Sequence, residues 1–99
     1  MHTNTEILLN DFDETAYVSV NLIYSEFLSS IRNVDRHKDE NTVQLWIERH
    51  MNRLKQRLDA KALEFISSNR DIPTLDWFRK KLMYIIQLHL QEFSQLVRY

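Results

Sequence analysis

Not one glycine occurs in the 99 residues of this chain. At the usual share of about 7%, roughly seven would be expected. Glycine serves wherever a backbone needs positive φ: hairpin turns, bulges, loops that cradle phosphate. Its absence excludes most hairpin-built β architectures and every glycine-rich nucleotide motif. A single proline, Pro73, leaves little to interrupt helical propagation. The expected fold class is all-α.

The length fits a single helical domain over residues 1–99. A chain of this size hides about two-thirds of its unfolded surface, enough for one core without disulfide or metal. Apolar residues make up 43% and charged residues 27%, as in ordinary folded domains rather than disordered ones. The formal net charge of −1 gives no global pull toward nucleic acid or anionic lipid. The lack of cysteine excludes a disulfide scaffold, a zinc ribbon and a thiol nucleophile. Residues 1–6 have no basic character and no long apolar run follows, so neither a signal peptide nor a membrane span is expected. The expected localisation is cytoplasmic. Charge is uneven along the chain. Residues 1–31 hold five acids and no Lys or Arg, while the remainder holds all 13 basic residues. The simplest arrangement lays an acidic first helix against basic neighbours within the fold.

Three segments carry helical periodicity. Over 13–31, Ala16, Val20, Ile23, Phe27 and Ile31 recur at steps of three and four, flanked by Tyr17, Tyr24 and Leu28. Asp11 or Asp13 is the expected cap, with 5–10 a separate helical turn. Alternation over 17–22 favours a strand, but a lone strand would have no partner. Residues 32–41 form a polar joint, and Asn41 with Gln44 resembles a capping box. Over 42–67, Val43, Ile47, Met51, Leu54, Leu58, Ala62 and Phe65 fall in one arc. The joint 68–73 ends at Pro73, which biases Ile72 away from helix, and Thr74 is positioned to cap the third segment. Over 74–97, Leu75, Phe78, Leu82, Ile85, Ile86, His89, Leu90, Phe93, Leu96 and Val97 make the broadest apolar face. The expected architecture is an antiparallel three-helix bundle, which an intertwined or side-by-side homodimer would complete.

Two surfaces stand out. On the second helix Arg49, Arg53, Arg57 and Lys61 recur every four residues, with Trp46 and His50 in the same sector. A basic face with an aromatic suits an acidic partner protein, where Trp and Arg form hot spots, or nucleic acid, where they meet phosphate and bases. On the third helix Trp77, Tyr84, Leu88 and Tyr99 lie off the main apolar face, as at a protein interface or a homodimer seam. No metal or cofactor is expected. His2, His37, His50 and His89 include no pair four apart, and His89 reads as a hydrogen-bonded core histidine.

Two short resemblances accompany these surfaces. Arg32-Asn33-Val34-Asp35-Arg36-His37 resembles the Arg-Asn-x-x-x-His signature of HEPN ribonucleases. That resemblance implies RNA cleavage across a dimer, with His37 moving protons and Arg32 stabilising phosphate charge. Residues 60–82 resemble a helix-turn-helix in outline, with Arg79-Lys80-Lys81 opening the second helix. The sequence is read as a small non-catalytic protein-binding regulator: an adaptor, chaperone-like subunit or inhibitor. Its expected contact residues are Trp46, His50, Arg53, Arg57, Trp77, Tyr84 and Leu88. The alternatives are a nucleic-acid-binding protein using the basic helix face and a HEPN-like ribonuclease using Arg32 and His37.

Overall fold

The computed structural model describes residues 4–98 as three helices: α1 (Asn4–Ser30), α2 (Glu40–Ser68) and α3 (Leu75–Leu96). All three touch one another. Ring pairs Phe12–Phe65 and Phe27–His50 set the start of α1 beside the end of α2, so these helices run antiparallel. Arg98, just beyond α3, shares a cleft with Val43, Gln44 and Ile47 of early α2, so α3 runs antiparallel to α2 as well. The result is an up-down-up bundle measuring 53 × 21 × 16 Å. The helix-turn-helix outline over 60–82 is instead part of an antiparallel helical hairpin.

The core follows the apolar stripes. Phe12, Ala16, Val20, Ile23 and Phe27 from α1, Leu54, Leu58 and Ala62 from α2, and Phe78, Leu82, Ile86 and Phe93 from α3 are all buried. The first helix differs from its expected start. It begins at Asn4, not near 13, and absorbs the turn expected over 5–10. The reason is packing: Phe12 has no exposed surface and meets Phe65 edge-on at 5.3 Å, so the buried stripe begins before Asp13. Asp11 and Asp13 therefore lie within the helix rather than capping it. Residues 17–22 are helical throughout, with no strand.

A chain without glycine must end its helices differently. Among the described residues no φ is positive, so no left-handed C-cap occurs. The α1 end tightens through short-range bonds, Arg32 N to Ser29 O at 3.5 Å and Val34 N to Ile31 O at 3.0 Å. Asp35 then organises the joint. Its Oδ1 accepts from His37 N at 2.9 Å and Lys38 N at 3.2 Å, and its carbonyl accepts from Asp39 N at 2.8 Å. The Asn41–Gln44 capping box does not form, because α2 starts at Glu40 with Asp39 in the cap position. At the other joint Asn69 caps α2 and donates its Nδ2 hydrogen to Phe65 O at 2.8 Å. Thr74 occupies the α3 cap position, without a side-chain hydrogen bond. The Arg36 guanidinium donates to Val97 O, tying the first joint to the carbonyl end of α3, where a cation is favourable.

Phe12→Ala is expected to destabilise the protein by about 3–5 kcal/mol in urea denaturation. Tyr17→Ala, at a residue 54% exposed, is expected to cost under about 1 kcal/mol. Equal effects would show that the bundle does not reach back to residue 12.

Candidate functional site

The basic sector of α2 lies along the flank that meets α1. Trp46, Arg49, His50 and Arg53 form one wall of a cleft of about 570 Å³, and Leu22, Ser25, Glu26, Ser29 and Ser30 of α1 form the other. The Arg49 guanidinium sits over the Trp46 ring, 5.2 Å from its centre. Arg53 Nη2 lies 3.2 Å from Glu26 Oε1. One turn on, Arg57 Nε donates to Ser19 Oγ at 3.1 Å. Asp11 and Glu14 share a second depression with Arg57 and Lys61. The acidic first helix thus does lie against the basic second one. Residues beside an apolar arc face the neighbouring helix before they face solvent, which is why this ladder is partly complemented within the chain.

His50 departs most from the expectation of an exposed contact. It is 5% exposed, with its ring edge-on to Phe27 at 5.7 Å. Its Nδ1 lies 2.8 Å from Trp46 O and its Nε2 3.5 Å from Ser30 Oγ. At about 100° per residue it stands about 20° around the wheel from buried Val43, close enough for the bundle to cover. His50 is the buried floor of the cleft, while Arg53 stays exposed at its side and Arg57, also exposed, lines the second depression.

The outer face of α3 is different. The buried stripe runs Phe78, Leu82, Ile86, His89, Phe93. Trp77, Tyr84 and Leu88 project from roughly the opposite side at about 100° per residue, and are 44%, 60% and 46% exposed. Neither α1 nor α2 covers them. Lys81 Nζ lies 5.4 Å from the Trp77 ring centre, with Lys80 exposed beside it. Tyr99 lies outside the described residues.

His89 and His37 differ in their surroundings. His89 is buried, and its Nε2 hydrogen is donated to Asp13 Oδ1 at 2.7 Å, while Nδ1 stands 3.6 Å from Glu92 Oε2. Asp13, read as a cap, is the partner of that core histidine. His37 is exposed in the first joint, and its surrounding cleft is lined by Arg36, Glu40, Val43, Gln44, Ile47 and Arg98. Arg32 is not among those lining residues. No group of three or more His, Asp or Glu among the described residues could hold a metal ion, and no helix among them is long and apolar enough to cross a membrane.

Glu26 and Ser30 escape a reading based on periodicity alone. They stand four apart on the flank of the α1 stripe, at the spacing that stacks side chains along one helix edge, which is the signal that could have marked them. Comparison with protein families, curated proteins and solved structures finds no match to this chain.

Removing Asp13 leaves a buried imidazole N–H without an acceptor. Asp13→Ala is therefore expected to cost about 1–3 kcal/mol in denaturant titration, and adding His89→Leu to recover most of that loss. A double variant no more stable than Asp13→Ala would mean that the pair is not a coupled hydrogen bond.

Proposed function

We propose that the protein is a non-catalytic binding module that docks another protein chain on the outer face of α3. One observation carries this reading. Trp77, Tyr84 and Leu88 form a large apolar stripe on the side of α3 that points away from its own bundle. Aromatic residues in such positions are the side chains from which protein interfaces draw most of their energy. They present broad surface at little conformational cost, and the lysine stems of Lys80 and Lys81 frame them. The local charge favours a partner segment that offers carboxylates beside its apolar contacts. Adaptor, chaperone-like subunit and inhibitor are the roles that suit a domain of this size with such a face.

Two of the histidines are tied up in the fold. His50 and His89 are both buried and engaged by neighbouring groups. A second copy of this chain would pair α3 faces about a two-fold axis and bring the same lysines together, so a partner bearing carboxylates fits this face better.

The test is capture of partners from native lysate by immobilised protein, with light scattering on the pure protein to detect a second copy. Trp77→Ala and Tyr84→Ala are expected to keep the melting temperature within a few degrees, since both residues are exposed. Each is expected to weaken the captured complex at least about tenfold, a hot-spot loss. A complex, or a homodimer, that survives both substitutions unchanged would remove the α3 face from the function.

A further inference from the structure

The outer face of α3 is spaced for a further helix. Trp77, Lys81, Tyr84, Leu88, Gln91 and Gln95 follow one another at steps of four, three, four, three and four, and all six are exposed. A seam of that 3.5-residue period is the one along which two helices interlock, side chains of one filling the gaps between side chains of the other. At 1.5 Å per residue the seam is about 27 Å long, and its apolar part, Trp77 to Leu88, about 16 Å. The buried stripe on the opposite side holds α3 in its own bundle and leaves the seam uncovered.

Other modes of chain recognition have no footing here. An extended segment draws its affinity from pairing its backbone with a sheet edge, and the described residues contain no strand. Laid on a helix, its N–H and C=O groups would meet only side chains. A partner helix satisfies those groups internally and brings only side chains to match. A proline-rich segment needs an aromatic groove. The clefts along α1 and α2 and at the first joint include none of Trp77, Tyr84 and Leu88.

The charges set the sign of the partner. Lys80 and Lys81 are exposed beside the apolar part of the seam, and neither forms an ion pair with another described residue, not even Lys80 with Asp76 one turn before it. Lys81 lies over the Trp77 ring instead. Glu92 stands beyond Leu88 and faces His89 Nδ1 at 3.6 Å. Two unpaired ammonium groups beside three apolar side chains are complemented by carboxylates that flank an apolar stripe.

We propose that the partner docked on α3 is an acidic amphipathic helix, with apolar residues at steps of three and four and Glu or Asp beside them. Its apolar half lies on Trp77, Tyr84 and Leu88, and its polar half on Gln91 and Gln95. This inference rests on the docking reading above and names the class of partner.

The probe is a fluorescently labelled peptide of about three heptads, with Leu at both seam positions and Glu at the flanking ones. One variant carries Lys in place of Glu, and another keeps Glu but has a central proline that breaks the helix. By fluorescence anisotropy the Glu peptide is expected to bind saturably, and both variants at least about tenfold more weakly. Trp77→Ala is expected to weaken the Glu peptide by a similar factor. In Lys80→Glu/Lys81→Glu protein the order of the Glu and Lys peptides is expected to invert, with the melting temperature kept within a few degrees because both lysines are exposed. No saturable binding of the Glu peptide would overturn the proposal. So would equal binding of the proline peptide, an order of peptides unchanged by the charge reversal, or a homodimer that Trp77→Ala dissolves. If Trp77→Ala still releases a captured partner in those cases, docking on α3 stands and only the acidic helix falls. Glu-peptide binding unchanged by both Trp77→Ala and Tyr84→Ala would remove the face and both readings with it.

Discussion

Four phenylalanines without exposed surface hold the bundle together: Phe12 and Phe27 on α1, Phe78 and Phe93 on α3. Each pair stands fifteen residues apart, about 22 Å along a helix. The two large-residue helices close on a second helix whose buried positions are smaller, among them Leu54, Leu58 and Ala62. Large against small is how facing helices interdigitate at native density. This seam fixes the rotation of all three helices, and everything at the surface follows from that rotation. Because Phe78, Leu82, Ile86 and Phe93 turn inward, Trp77, Tyr84 and Leu88 must turn outward. Because Phe27 packs on the His50 ring, His50 is drawn to the floor of the α1/α2 cleft rather than left on a basic face.

The missing glycines shape the ends of the bundle. Without left-handed caps, the chain leaves each helix through tightened turns and needs polar side chains to complete them. Asp35 does this at one joint and Asn69 at the other. Arg36 then crosses from the first joint to the last carbonyls of α3. The loops thus serve as fasteners between helices. Within the segment that resembles a nuclease signature, Asp35 shapes the turn and Arg36 holds the end of α3, while Arg32 and His37 are exposed.

Much of this was legible in the residues. The stripes of α2 and α3 have clean steps of three and four, and their observed limits lie within two residues of those the periodicity predicts. The start of α1 was not legible, because Asp11 and Asp13 look like caps and mask the continuation of the stripe through Phe12. Only the tertiary contact of Phe12 with Phe65, and of Asp13 with His89, resolves that ambiguity. The cleft was partly visible. Its arginines and Trp46 repeat at helical spacing, but a wheel cannot say which flank of a helix meets a neighbour. The burial of His50 beneath the cleft depends on how Phe27 packs from the other helix, which no pattern of residue types within α2 encodes.

The account rests on α1 being one unbroken helix whose Phe12 is locked into the seam. Residue-resolved amide hydrogen exchange tests this most directly. The amides around Phe12 and Ala16 are predicted to exchange as slowly as those of Ile23 and Phe27, all through global opening of the bundle. Exchange near unstructured-peptide rates up to Asp13, with protection only beyond it, would contradict the account.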